Sequence, residues 1–168
     1  MHTTGFKENI LDGLYYYTIP SFSTTGQIKH GFSSRLGGVS SGACSSLNLG
    51  FKRKDTSVNV KNNFELFCQS VGIETKQMVF TDQVHKDRIA IVDERDIGKG
   101  FDVLIEPKGN KYYIDLWAAN RIQLEASGVQ RKNITISSLC TCCNRDTFFS
   151  HRGDNGQTGS LAAVLMLT

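Results

Sequence analysis

The spacing of apolar side chains predicts one clear amphipathic helix in the first half of the chain. Four large apolar residues recur every three or four positions, as on one face of a helix: Val60, Phe64, Phe67 and Val71. Thr56 or Ser57 can cap the N-terminus with a side-chain oxygen, and Gly72 can end the helix in a left-handed conformation. A second helix is predicted over 116–127, with Asp115 as its N-cap and Gly128 directly after it.

Short aromatic or alternating runs predict strands around these two helices. The predicted strands are 14–19, 28–33, 78–80, 88–92, 101–105 and a segment through Ile134 and Ile136. A C-terminal hairpin is predicted from 147–152 and 161–167, because a DNG turn signal lies between them. Since strands and helices interleave, the fold class is α/β or α+β with a mixed sheet.

Composition narrows the classes of protein to which the chain can belong. It has 168 residues, of which 39% are hydrophobic, and a net charge of +3 from 19 basic and 16 acidic residues. This balance is typical of a globular domain and does not favour nucleic acid as a partner. No apolar run reaches the ~20 residues of a membrane span, and no signal pattern begins the chain, so we expect a cytoplasmic protein. Nothing in the sequence indicates the oligomeric state.

A glycine- and serine-rich segment over 35–50 has the composition of an ordered functional loop. Arg35 supplies a guanidinium group, and Gly37 and Gly38 can expose backbone N–H groups. Together these groups can bind a phosphate or another anion. The alternative is an ordinary turn with a solvated arginine.

Two histidine-containing segments are candidates for chemistry. His85 lies between two predicted strands in QVHKD, where an imidazole can ligate a metal, although a catalytic zinc needs about three protein ligands. The alternative is a structural histidine. His151 and Arg152 lie in FFSHRGDNGQTG, which can equally be a solvent-facing turn.

Three of the five cysteines are clustered at Cys140, Cys142 and Cys143. Clustered thiols can bind a soft metal or undergo redox chemistry. An odd number of cysteines and the absence of a second pair favour reduced structural thiols that bind no metal.

Three motifs in the same order resemble one family, the laccase-domain or YfiH-like proteins, once labelled multicopper polyphenol oxidases. HGFSSRLGGVSSGACSSLNLG resembles its N-terminal signature, and DQVHKD resembles its Gln-Val-His segment. The stretch 140–167 resembles its C-terminal signature of Cys-Thr-x-Cys, Phe-Phe-Ser-x-Arg and Thr-Gly.

The resemblance implies an α-β-β-α arrangement of sandwiched mixed sheets flanked by helices. It also implies zinc-dependent purine nucleoside phosphorylase activity on adenosine, inosine, guanosine and methylthioadenosine, with adenosine deaminase activity. His85 then matches a zinc ligand. Arg35 and Arg152 match residues that line the pocket for nucleoside and phosphate, Arg35 with a catalytic role. Asn48 holds the loop in shape or contacts the ligand.

The sequence departs from the family pattern at its centre. The family's Asp-Cys and His-Ala-Gly-Trp-Arg segments, which supply its other zinc ligands, are not found here. We therefore expect one domain over 1–168 with a missing segment near 105–110, where relatives carry roughly 100 more residues. Lys86, Gly153 and Ser160 also differ from the family pattern. Two alternatives stay open: a copper-dependent polyphenol oxidase, and a non-catalytic partner-binding domain that has lost its metal site.

Overall fold

A computed structural model describes residues 5–80 and 116–168. Contacts divide the chain into two compact units, Met1–Thr75 with Thr135–Thr168 and Lys76–Ile134. The described residues of the first unit form four strands and two α-helices: β1 (Lys7–Leu11), β2 (Leu14–Thr18), α1 (Pro20–Ser23), β3 (Ile28–Ser33), α2 (Ser57–Val71) and β4 (Ala163–Leu167). The second contains α3 (Leu116–Ala126). The expectation of a single domain stays a prediction.

The four strands form one antiparallel sheet in the order β1-β2-β3-β4. β1 and β2 form a tight hairpin in which Leu11 pairs with Leu14. β4, from the end of the chain, pairs with β3 over five residues, so that His30 lies opposite Leu165. The sheet therefore joins the two ends of the first unit, and with its helices it confirms the mixed α/β class.

Helix α2 covers one face of this sheet. Phe67 meets the ring of Tyr16 edge-on at a centroid distance of 6.5 Å. Gly31 of β3 lies so close to the helix that a Cβ atom there would be 2.7 Å from Cγ2 of Val71. The missing side chain at this position lets the helix approach the sheet. On the opposite face, the rings of Tyr17 and Phe32 contact Phe148, at centroid distances of 5.4 and 6.4 Å.

The predicted ends of α2 are confirmed. The Oγ1 atom of Thr56 accepts a hydrogen bond from the backbone N–H of Asn59 at 3.1 Å, which satisfies one of the free amides of the first turn. Gly72 has a φ of 77° and ends the helix, and the next amide, that of Ile73, donates back to the carbonyl of Cys68 at 2.8 Å.

Helix α3 in the second unit also matches its predicted range closely. Gly128 has a φ of 90°, and the amide of Val129 donates to the carbonyl of Leu124 at 3.0 Å, so the chain leaves the helix through a left-handed glycine. The expected cap Asp115 lies outside the described residues. Among the described residues, no helix has the length and apolar character needed to cross a membrane.

Several predicted strands do not form. Residues 78–80 follow a short 3-10 turn (Thr75–Gln77) without entering a sheet, and residues 134–136 pair with no strand. The C-terminal hairpin is also wrong, because 147–152 forms turns while β4 pairs with β3. An alternating pattern makes a strand only when a ladder partner is present, and of these described segments only β4 has one, which is β3. The predicted strands 88–92 and 101–105 lie outside the described residues.

We predict that Gly31→Ala destabilises the first unit by about 1–3 kcal/mol, because the added methyl group overlaps Val71. The second substitution Val71→Ala removes the overlapping atom and should recover part of the loss. Urea unfolding of the two single variants and the double variant measures the coupling between the sites. If the two substitutions have strictly additive effects on the free energy of unfolding, then contact with Val71 is not the reason that position 31 requires glycine.

Candidate functional site

The loop 35–50 is built around the buried side chain of Asn48, which is 0% exposed. Its Nδ2 donates to Asp55 at 2.9 Å and to the Gly50 carbonyl at 3.3 Å. Its Oδ1 accepts the amides of Gly50 at 3.0 Å and of Ser160 at 2.9 Å. All four hydrogen-bonding positions of the amide are used within the protein. Two roles were expected for Asn48, and these hydrogen bonds support the first, which is to hold the loop in shape.

A second buried amide, Asn63, connects the same loop to α2 and is also 0% exposed. Its Nδ2 donates to the Ser40 hydroxyl and to the Asn48 carbonyl, both at 2.8 Å, and its Oδ1 accepts the amide of Val39 at 2.8 Å. No role was predicted for Asn63 from the sequence, although a polar side chain on the apolar face of a predicted helix was a usable signal. A buried amide is retained there because its partners are fixed loop atoms.

Asp55 completes this network at the start of α2. Burial raises its pKa, but hydrogen bonds from Ser40, Asn48 and Asn59, together with the amide of Thr56, outweigh burial and hold the pKa of Asp55 below its usual range. The donors lie at 2.6 Å, 2.9 Å, 3.0 Å and 2.8 Å respectively. The carboxylate is therefore charged at neutral pH and orders both the loop and the helix terminus.

The two adjacent glycines are required by close packing. Gly37 has a φ of 90°, and a Cβ atom there would lie 2.3 Å from the Cα of Leu14. A Cβ atom on Gly38 would lie 2.4 Å from the Cα of Leu47, and the Gly38 amide donates to Ser46 Oγ at 3.1 Å. This amide, which was expected to be open to an anion, is thus engaged within the loop.

The side chain of Arg35 is held in one orientation by its own loop and by the C-terminal part of the chain. Its Nε donates to the Ser45 carbonyl at 3.1 Å, and its Nη1 donates to the Arg145 carbonyl at 2.9 Å. The guanidinium carbon lies 4.5 Å from the centroid of the Phe149 ring, and Nη1 lies 3.9 Å from Asp154 Oδ2. The Nη2 atom makes no hydrogen bond to any described residue, and the side chain is 20% exposed. One end of a fixed cation is therefore open to a ligand.

Asp154 is the acidic partner in this site. The amide of Ser150 and the hydroxyl of Thr158, which donate at 3.1 and 2.7 Å, lower the pKa of Asp154, and the charges of Arg35 and Arg145 lower it further against the effect of burial. Asp154 is a charged group that partly neutralises Arg35 and fixes the turn that carries it.

The other predicted site residues are placed differently. Arg152 is exposed on the turn 151–156, and His151 on the same turn is exposed as well. His85 lies outside the described residues. The structure thus brings together Arg35, Phe149 and Asp154, with Asn48 in the support of the loop. The catalytic role expected for Arg35 stays a prediction.

The described residues give no support to a metal centre in this region. Within 5–80 and 116–168, no group of three His, Cys, Asp or Glu side chains is placed to hold a metal ion. Cys140, Cys142 and Cys143 are free thiols in the structure. The expectation that they bind no metal stays a prediction, as does the zinc site at His85.

A cavity of about 260 Å³ on the sheet face opposite α2 is apolar and does not resemble a site for a charged ligand. Phe6, Phe22 and Phe32 are among its lining residues. Its histidine, His30, already accepts the amide of Ile19 through Nε2 at 2.7 Å. The candidate functional site is therefore the region of Arg35.

Comparisons with known proteins converge on one family. The family described as multi-copper polyphenol oxidoreductase laccase matches residues 29–108 and 99–168. The purine nucleoside phosphorylase YlmD of Geobacillus stearothermophilus is 45% identical over 60 residues, which are 36% of this chain and 22% of that protein. A purine nucleoside phosphorylase of Staphylococcus epidermidis is 48% identical over 62 residues, covering 36% and 24%. The matched segments span about a quarter of these relatives.

Two solved structures share the fold. The crystal structure of YlmD from Geobacillus stearothermophilus has a TM-score of 0.81 at 19% identity, covering 98% of this chain and 99% of that one. The hypothetical protein YfiH of Bacillus licheniformis has a TM-score of 0.84 at 19% identity, covering 99% and 100%. The expected YfiH-like α/β fold is therefore confirmed.

We predict that Asn63→Ala lowers the free energy of unfolding by about 3 kcal/mol, because the amide of Val39 and the hydroxyl of Ser40 lose buried partners. Asn62→Ala is the matched control, since Asn62 is exposed on the same helix. It should change stability by less than about 0.5 kcal/mol. Equal effects of the two substitutions in denaturant unfolding would contradict the role given to Asn63.

The depressed pKa of Asp154 predicts a definite pH dependence. A carboxyl group with a lowered folded-state pKa stabilises the fold above its unfolded value of about 3.9, and this contribution is lost as the pH falls through the folded value. Asp154→Asn should therefore destabilise the protein at pH 7 and progressively less below about pH 4. Unfolding curves measured at pH 7 and below about pH 4 test this prediction. The substitution Asp146→Asn, at an exposed residue, is the control. A constant difference between wild type and Asp154→Asn would contradict it.

Proposed function

Because this chain belongs to the family described as multi-copper polyphenol oxidoreductase laccase, we propose that it acts as a purine nucleoside phosphorylase. The support comes from the curated relatives of YlmD type, whose names state that activity, and from the open cationic site at Arg35. In the proposed reaction, phosphate attacks the anomeric carbon of the ribose while the purine leaves. Adenosine, inosine, guanosine and methylthioadenosine are the proposed substrates, with adenosine deamination as a second activity.

The observation that carries the proposal is the fixed guanidinium of Arg35. Two of its nitrogens are already bound to carbonyl oxygens, of Ser45 and Arg145, so the group keeps its orientation without a ligand. The remaining Nη2 can donate a charge-assisted hydrogen bond to a phosphate oxygen. A cation that is already oriented loses little side-chain entropy on binding. Asp154 prevents the site from carrying an unbalanced positive charge when it is empty.

Arg152 is the second cation assigned to the substrate. It is exposed on the turn that also contains Asp154. An exposed arginine can contribute its positive charge to the phosphate or the ribose.

Zinc is the proposed cofactor, with His85 as one ligand. The described residues contain no group that fits a metal, and the family's Cys and second His segments are not in this sequence, so no step is assigned to the ion. A single imidazole competes poorly for zinc in water. We therefore propose that the active protein carries a further segment near 105–110, and that a 168-residue chain is inactive. The cytoplasmic location also remains a prediction.

The decisive experiment measures the intact mass of the protein from its natural source, its zinc content, and the release of purine from inosine and adenosine with and without phosphate. A longer chain with phosphate-dependent release supports the proposal, and a longer chain without it overturns the activity. A native chain of 18.6 kDa without activity overturns the proposed phosphorylase function in favour of a binding domain. Stoichiometric zinc and activity in an 18.6 kDa chain overturn the missing segment. Copper with oxygen-dependent phenol oxidation supports the oxidase.

In the active protein we predict that Arg35→Met raises KM for phosphate about tenfold or more, because a charged hydrogen bond contributes about 1.5–3 kcal/mol. Arg152→Met should also raise it, without loss of thermal stability, since that side chain is exposed. Lys61→Met is the control, because Lys61 is exposed on α2 and has no assigned role. An unchanged KM in both arginine variants would remove these residues from the phosphate site.

A further inference from the structure

The three clustered cysteines lie on a single turn that directly precedes the segment holding Arg35. The Cys140 carbonyl accepts both the backbone amide and the side-chain Nδ2 of Asn144, at 3.0 and 2.8 Å. These bonds close the turn and place Cys140 and Cys143, three residues apart, on the same side of it. The sequence Cys140-Thr141-Cys142-Cys143 therefore contains a C-x-x-C pair with a third cysteine between its ends.

The spacing of that pair within one closed turn fits a disulfide bond. Residues three apart in a turn have Cα atoms within about 7 Å, which is the range a disulfide bond spans. Cys140 is partly exposed and Cys143 exposed, so an oxidant can reach both.

The local charges distinguish the two sulfurs. The amide of Cys143, then its thiol, then the amide of Cys142 lower the pKa of Cys140, and the charge of Arg152 acts in the same direction. The hydrogen bond to Cys140 and the charge of that sulfur raise the pKa of Cys143. Cys140 is therefore the sulfur that becomes a thiolate, while Cys143 keeps its proton.

The remaining cysteines have the opposite surroundings. Cys68 is 0% exposed, and burial raises its pKa to about 11. Cys44 is 1% exposed, and burial followed by the charge of Asp55 raises its pKa as well. Buried thiols of this kind are unreactive. Cys44 and Cys68 therefore serve as unreactive controls within the same chain.

We propose that Cys140 and Cys143 form a peroxide-sensitive dithiol, with Cys140 as the attacking sulfur and Cys143 as the resolving one. The Cys140 thiolate attacks one oxygen of hydrogen peroxide, the O–O bond breaks, and the departing hydroxide takes up a proton to leave as water. Cys143 then attacks the sulfenic sulfur. The S–S bond forms, the S–O bond breaks, and a second water leaves with the proton of Cys143. Two thiols and one peroxide give one disulfide and two waters.

A soft-metal site is disfavoured by the same geometry. Among the residues that the structure describes, the three sulfurs do not form a group that can hold a metal ion. The proposal is independent of the phosphorylase activity, because it concerns only the thiols and an oxidant.

The test treats the full chain with equimolar hydrogen peroxide, blocks the remaining thiols with an alkylating reagent, and analyses the tryptic peptide 133–145, which contains all three cysteines. We expect this peptide to lose two hydrogens and to be alkylated only at Cys142, while Cys44 and Cys68 stay reduced. Cys140→Ser should abolish the disulfide. Cys142→Ser is the matched control and should retain it.

Cys143→Ser supplies the second readout, since the sulfenic acid on Cys140 then has no resolving partner and should be trapped by dimedone. The proposal is overturned if peroxide produces no disulfide in the peptide, if the bond joins Cys142 to either neighbour, or if Cys142→Ser prevents it. Circular dichroism of each serine variant shows whether it keeps the wild-type fold.

Discussion

The hydrogen bonds of Asn63 are the interaction on which the rest of the described site depends. One buried amide, carried by a helix that packs on the sheet, satisfies a backbone amide, a hydroxyl and a carbonyl of the loop 35–50. A loop rich in glycine and serine has no apolar core of its own, so its conformation must come from such contacts. Phe67 packs α2 against the sheet. The hydrogen bonds of Asn63 therefore anchor the loop to a helix that is itself held in place.

The same logic extends from the loop to the candidate site. The backbone of Arg35 is held on both sides, since its amide donates to Thr147 and its carbonyl accepts the amides of Ser46 and Leu47. Its side chain then reaches Phe149 and the carbonyl of Arg145. A cation so placed is pre-organised for an anionic ligand, which is what electrostatic recognition of phosphate requires.

The turn that carries Cys140, Cys142 and Cys143 directly precedes the residues that hold Arg35. Asn144 closes the turn on Cys140 and accepts the amides of Thr147 and Phe148 at 3.1 and 2.9 Å. The redox-active pair proposed here therefore lies at the start of the segment whose later residues hold Arg35. The apolar face of the sheet and the charged site thus meet at Phe148 and Phe149, with one ring contacting the sheet and the next contacting the guanidinium.

The sequence by itself determined those features that depend on neighbouring residues. The apolar spacing and the caps of α2, the strands β2 and β3, and the ordered loop at Arg35 were all predictable, because helix periodicity and capping act within a few positions. The order of the motifs also identified the family. Tertiary structure alone decided that β4 pairs with β3, that Asn63 supports the loop, and that Arg35 meets Arg145 and Asp154. These partners are far apart in the chain, by 110 positions for Arg35 and Arg145, and no local pattern encodes which distant polar group satisfies a buried one.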